Sequence, residues 1–324
     1  MADVLTLAAL ATVLAYFILA NLGERNRVAR ILTLAAGAAA AAAAVLAGLA
    51  VLLLYALSAA TGRSVAGGTR GSVTIALPLI GAGALGLLYL WPPAQRAAAR
   101  VLPLRPGSPV GYAAVVLALL FTGLQLGTQL SEDVLSAIAS GPPLTNTDIV
   151  AQDVPLLLLG FVGVGVLVRR STRETLARLG LLPPRARWWP IAAAGILAFI
   201  LLGAGIEKAA SVLTPGTQEQ VSRVTTALFR RFDNPAAVIF LAVIAGVAEE
   251  VVFRGALQPR FGLVATAFLF ATVHTQYGIT FASLEVFVLG LGLGWLRSAS
   301  GSTLPGIVTH AGYDLAVGLI GLLH

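Results

Sequence analysis

Long apolar runs separated by short polar breaks set the reading of this chain. A bilayer core of about 30 Å takes about 20 apolar residues as a helix. Windows of that kind fall near residues 4 to 21, 31 to 57, 73 to 91, 109 to 127, 149 to 168, 188 to 206, 236 to 257, 261 to 275, 282 to 296 and 304 to 322. The pattern predicts an all-α fold, a polytopic transmembrane helix bundle of about ten spans, of which the eighth and ninth are the shortest. Met1, Ala2 and Asp3 lack the basic stretch of a signal peptide and further spans follow, so the first run is expected to stay as a helix. An acidic, proline-containing loop from Ser131 to Thr147 divides the chain into a four-span region, 1–130, and a six-span region, 148–324. No internal repeat links the two.

The polar positions add an orientation. If the connections alternate sides, those at 22 to 30, 92 to 108, 169 to 187, 258 to 260 and 297 to 303 share one face and hold 14 basic residues, against 6 in the opposite set. By the positive-inside rule the basic set is cytoplasmic and both termini lie outside. Trp91, Trp188, Trp189 and Trp295 all fall at the cytoplasmic helix ends so defined, where interfacial aromatics belong. Within the connections, Ser171 and Glu174 form a capping-box pattern that opens a short helix through Leu179, ended by Gly180. With its arginines around Leu176, Leu179 and Leu182, this segment is expected on the cytoplasmic membrane surface. The alanine run 38 to 44 and the pair Gly290 and Gly294 read as close helix packing through small side chains, not as a phosphate loop.

Composition narrows the class. The chain has 324 residues, 58% hydrophobic and 11% charged, against roughly 25% charged in soluble domains. Its mean hydropathy is +0.90. The net charge of +7 marks loops of a membrane protein, so no nucleic-acid partner is expected. With no cysteine there is no disulfide, thiolate metal site or cysteine nucleophile. The Ala, Gly, Leu and Arg bias points to a bacterial plasma membrane.

Against this background one stretch stands out: Glu249, Glu250 and Arg254 inside the apolar run 236 to 257. Each charge at a membrane centre costs roughly 2.5 to 3.5 kcal/mol on insertion scales, which makes three together a functional signal. On a helix Glu250 and Arg254, four apart, share a face and can pair, leaving Glu249 about 100° away without an arginine. Later spans add His274 and the pair His310 and Asp314, again four apart. At 1.5 Å per residue Glu249, His274 and His310 lie about 15, 20 and 10 Å in from the cytoplasmic connections, so all three can meet at one level. The carboxylate of Asp314 can orient the His310 imidazole or join it in binding a polar group. His324, at the terminus, carries no such argument.

These residues resemble the CPBP intramembrane proteases, a family that includes type II CAAX prenyl endopeptidases and bacteriocin-processing proteins. Glu249, Glu250, Phe253, Arg254 and Gly255 match its first motif, Phe270 and His274 its second, His310 and Asp314 its third. The resemblance covers about residues 236 to 322. It implies that Glu249 with His274 activates water, that His310 and Asp314 lie near the carbonyl oxygen, and that Glu250 and Arg254 hold the site. Asp314 departs from the asparagine often found there: an ionised carboxylate only accepts hydrogen bonds, so it either stays protonated, orients His310 or helps bind a metal. Glu249, His274 and His310 would supply three ligands for a catalytic Zn2+, and a metal-free glutamate mechanism is the alternative. The expected function is endoproteolysis of a membrane-associated protein or peptide, with membrane lipid as the other partner. A proton-coupled transporter and a catalytically silent immunity or scaffold protein are the competing classes.

Overall fold

The computed structural model describes residues 2–61, 68–130 and 134–323. Arg63, the loop start at Ser131 to Asp133, and His324 lie outside them. Among the described residues every regular element is helical. In chain order the helices are α1 (Ala2–Gly23), α2 (Arg27–Thr61), α3 (Gly68–Leu88), α4 (Pro92–Ala98), α5 (Pro109–Gln129), α6 (Val134–Ala139), α7 (Asn146–Val164), α8 (Thr172–Leu179), α9 (Trp188–Leu213), α10 (Pro215–Phe229), α11 (Pro235–Glu250), α12 (Gln258–Val273), α13 (Phe281–Ser300) and α14 (Leu304–Gly321). A π-helical stretch, Val251–Leu257, joins α11 to α12, and a 3-10 turn, Thr275–Tyr277, follows α12.

Packing divides the chain into two units, 1–134 with 272–279, and 135–271 with 280–324. In the first, α2 packs against α1, α3 and α5. The alanine run does what its composition suggests: Ala41 is fully buried, with Gly83 and Gly86 of α3 closed down on it. In the second unit α14 packs against α9, α11 and α13, and α7 runs beside α11.

Among the described residues seven helices are long and apolar enough to cross a membrane, or eight if the bent pair α3 and α4, at 106°, counts as one span. The bundle is therefore the expected one, while the expected count of ten is not reached by length and apolarity. One difference lies in residues 235–273, which form a single apolar stretch by composition. Gly262 breaks it, with φ 76° and ψ 176° inside α12. Phe253 and Phe270 lie 9 and 8 residues on either side of Gly262, yet their rings meet at 5.1 Å. In a straight helix 17 residues span about 25 Å, so the chain must double back at Gly262. The turn sits just after the expected one at 258 to 260, which is helical. A second difference is α10: the expected loop after residue 206 is mostly helix, with Val221 and Val224 buried and Glu219 and Arg223 exposed.

One end of the second unit gathers three connections expected on a common face. The chain after α8 is stitched to the turn before α14 by Thr303 N–H to Gly180 O (2.8 Å), Thr303 Oγ1 to Leu179 O (2.6 Å) and Ser302 Oγ to Leu182 O (2.8 Å). Arg178 donates to Gly255 O at 2.9 Å, and Arg260 reaches Gly163 O. α8 has the expected capping box at Ser171 and left-handed Gly180. It does not merely lie on a surface, because Thr175 and Leu179 are fully buried and Leu179 packs with Val164, Val251 and Ala256. The far end of the unit is closed by an apolar cluster around Ile149, Phe232 and Val238.

The backbone of Gly262 lies in a region that is nearly glycine-only and costs other residues about 1 to 3 kcal/mol. Gly262→Ala is expected to lower the midpoint of thermal unfolding in detergent by the corresponding amount. An unchanged midpoint would show that the turn tolerates a side chain.

Candidate active site

The site is built where α11 passes into the π-helical stretch. A wider turn is often found at functional positions, because it re-aims side chains that an α-helix would direct elsewhere. Small residues bring the neighbouring helices close. A methyl group on Gly246 would lie 2.9 Å from the Ala311 side chain, and one on Gly306 would lie 2.7 Å from Glu250 Oε2. These two glycines let α14 approach α11 closely enough for His310 to reach the paired glutamates.

Glu250 is fully buried and its Oε1 is engaged twice. Arg254 Nη1 pairs with it at 3.1 Å, as the four-residue spacing predicts, and His310 Nδ1 lies 3.2 Å away. The Arg254 charge has further partners: Nη2 donates to Gly290 O at 3.4 Å, and the guanidinium sits 4.2 Å from the centre of the Phe270 ring. Phe253 and Phe270, the motif phenylalanines, thus meet each other, and Phe270 also meets Arg254 and the His310 ring. One turn along, Gln258 Nε2 donates to Gly294 O at 2.7 Å. Gly290 and Gly294 are packing glycines, as expected, and their bare backbone also offers carbonyls to Arg254 and Gln258.

Glu249 is placed differently. It is 9% exposed, against 0% for Glu250, and its Oε2 has no hydrogen-bond partner among the described residues. Its nearest charged approach is His310 Nε2 at 3.9 Å. The same nitrogen lies 3.4 Å from Asp314 Oδ2. Each ring nitrogen of His310 therefore faces a carboxylate, Glu250 on one side and Asp314 with Glu249 on the other.

Five of the six expected site residues, Glu249, Glu250, Arg254, His310 and Asp314, come together in the second unit. His274 belongs to segment 272–279, which packs with the first unit, and its ring stacks on Tyr277 at 6.3 Å. Zinc does not fit as expected. Among the described residues no three His, Asp or Glu side chains are arranged to hold a metal, and His310 Nδ1 is turned to Glu250. The expectation of a metalloprotease is not supported.

One residue of this neighbourhood escaped the sequence reading. Asp153 of α7 is 1% exposed, and neither carboxylate oxygen has a hydrogen-bond partner among the described residues. The groups whose charge acts on it are Glu249 and then His310, and the Gln152 side chain also lies close. Gly160, two turns further along the same face, packs on Val251 and Val252. Asp153 thus looks onto the acidic end of α11. The signal was present as a lone carboxylate in an apolar span, the same signal that singled out Glu249.

A charged cluster sealed between apolar helices defines an integral membrane protein with a polar site inside its bundle. Residues 231–316 match the family described as Type II CAAX prenyl endopeptidase Rce1-like. The match covers the segment that holds the acidic site and is consistent with the resemblance to the CPBP proteases. No curated protein and no solved structure matches the chain.

Removing the Glu250 charge leaves Arg254 and His310 facing an amide. Loss of one member of a buried pair costs about 3 to 5 kcal/mol. Glu250→Gln is expected to lower detergent thermostability to that extent, and Glu249→Gln far less, because it gives up only a 3.9 Å approach. Equal losses in the two variants would contradict the asymmetry of the pair.

Proposed function

We propose that this protein is an intramembrane endopeptidase in which Glu249, assisted by His274, activates water. The observation that carries the reading is the asymmetry of two adjacent carboxylates. Glu250 is held on Oε1 by Arg254 at 3.1 Å and His310 at 3.2 Å, whereas Glu249 has no arginine partner and meets His310 only at 3.9 Å. Glu249 takes a proton from water, the oxygen attacks the scissile carbonyl, and the tetrahedral oxyanion forms beside His310. Glu249 then returns the proton to the leaving amine as the C–N bond breaks. Asp314 holds the imidazole from its Nε2 side, which gives the aspartate a use that does not require it to donate to an oxyanion. Glu250 and Arg254 fix the position of His310 and the π-helical turn. The part of His274 rests on the motif resemblance alone. No step runs through a metal.

The substrate in this reading is a membrane-associated protein or peptide, met within or beside the lipid bilayer. The arginine-rich end of the second unit is taken as cytoplasmic, with both chain termini outside and the site in the cytoplasmic half of a bacterial plasma membrane. The edge contact of Trp188 with Trp295, 6.1 Å between ring centres, supports a common interfacial level for the start of α9 and the end of α13. The chain is read as two parts with separate roles, residues 1–130 and residues 148–324, with the catalytic groups in the second.

Loss of a general base slows turnover by about 10²- to 10⁴-fold. Cells carrying Glu249→Gln are therefore expected to accumulate an uncleaved precursor that wild-type cells process, with the variant present at normal abundance in the membrane. Processing at near wild-type rate would remove Glu249 from the chemistry. The orientation has its own test, since the chain holds no native cysteine. Arg185→Cys and Asp233→Cys place single thiols at exposed positions on opposite ends of the unit. A membrane-impermeant thiol reagent applied outside intact cells should label the second and not the first; the reverse pattern overturns the orientation.

A further inference from the structure

At the end of the second unit that carries α8 lies a partly open cavity of about 290 Å3, lined by Gln258, Pro259, Gly262, Leu263, Arg297 and Ser298. Its setting is strongly basic. Most arginines there have work to do inside the fold: Arg170 donates to Val164 O, Arg178 to Gly255 O, and Arg260 to Ala256 O and Gly163 O. Each satisfies carbonyls at the end of a helix. Arg297 differs. It lines the cavity, its Nε has no hydrogen-bond partner, and no carboxylate faces it among the described residues. Positive charge gathers nearby: burial, and then Arg170, Arg297 and Arg169, pull the Arg178 guanidinium down to about 10. Gln258, also in the lining, keeps its Oε1 buried without a partner while its Nε2 is spent on Gly294 O and Ser298 Oγ.

We infer that this cavity is a binding site for a phosphoglycerol group, with the phosphate on Arg297 and a glycerol hydroxyl donating to Gln258 Oε1. The two unsatisfied groups ask for different things. A guanidinium without a partner favours an anion with planar or tetrahedral oxygens, which is what phosphate offers. A carbonyl-type oxygen asks for a donor, and amid several arginines a neutral hydroxyl is a better donor than an ammonium. Leu263 and Pro259 supply an apolar wall, as the glycerol backbone of a lipid at the membrane boundary would require. Basic pockets between membrane helices are a recurrent way of holding acidic headgroups. The assignment is independent of the peptidase reading, since none of the lining residues belongs to the acidic site.

The test uses the full chain purified in mild detergent and examined by native mass spectrometry and thermal unfolding. The probes are phosphatidylglycerol, phosphatidylcholine and free glycerol 3-phosphate. Wild type is expected to retain phosphatidylglycerol in preference to phosphatidylcholine. Arg297→Gln should weaken that retention about fivefold, the worth of one basic side chain at an anionic surface. Arg223→Gln, at an exposed position on α10, should leave it unchanged. If Arg297→Gln is poorly folded, Leu263→Trp fills the cavity from its apolar side and should cause the same loss. Protection by glycerol 3-phosphate matching that by the lipid assigns the group to a soluble source; protection by the lipid alone assigns it to the membrane. Equal retention of both lipids, or retention unchanged in Arg297→Gln and Leu263→Trp, overturns the site.

Discussion

The second unit depends on one interaction, the buried pair between Glu250 and Arg254, closed on its far side by His310. Neither charge of the pair can be left alone in an apolar bundle, where an unpaired ion costs several kcal/mol after relaxation. The solution uses more than a Coulomb contact. Arg254 also finds a glycine carbonyl and the face of Phe270, and Glu250 finds a ring nitrogen of His310. Three helices are thereby tied to one point: α11 through Glu250, α13 through Gly290 and α14 through His310. A fourth, the return leg of α12, is tied by Phe270.

Such an arrangement constrains everything near it. A side chain at residue 290, whose carbonyl Arg254 uses, would press on Phe270 and Ala267, and the oxygen of Glu250 clears α14 because residue 306 has none. The glycines of this unit are therefore electrostatic devices as much as packing ones: each lets a charged group approach backbone or a neighbouring helix. Gly262 serves the same end from a distance, since only a sharp reversal there sets Phe270 back against Phe253 and Arg254.

The same pair accounts for the difference between neighbouring glutamates. Because Glu250 is saturated on one oxygen and sealed, it belongs to the scaffold. Glu249, one residue earlier, is slightly less buried, has no arginine and meets His310 only at 3.9 Å. In the proposed mechanism this leaves Glu249 to exchange a proton with water. Asp153 adds two further unsatisfied carboxylate oxygens to those of Glu249 and Glu250, so the acidic character of the site comes from α7 as well as α11.

Much of this was legible in the sequence, wherever the cause was local. The helical character of the bundle, the capping box at Ser171, the pairing of Glu250 with Arg254 and of His310 with Asp314, and the packing role of Gly290 and Gly294 all follow from spacing along one helix. The sequence could not place the reversal at Gly262 instead of residues 258 to 260, because the chain on both sides is equally apolar and only the contact between Phe253 and Phe270 decides it. α10 was missed because its buried residues, Val221 and Val224, are few and set among polar ones. The π-helical turn after Glu250 packs against α7, α8 and α13, neighbours that no local pattern encodes. Charge in an apolar run reveals by itself that a site exists, since desolvation is a property of the residue and its surroundings in sequence. How the pair is completed depends on a backbone carbonyl 36 residues from Arg254 and an imidazole 60 residues from Glu250, and only tertiary packing supplies those.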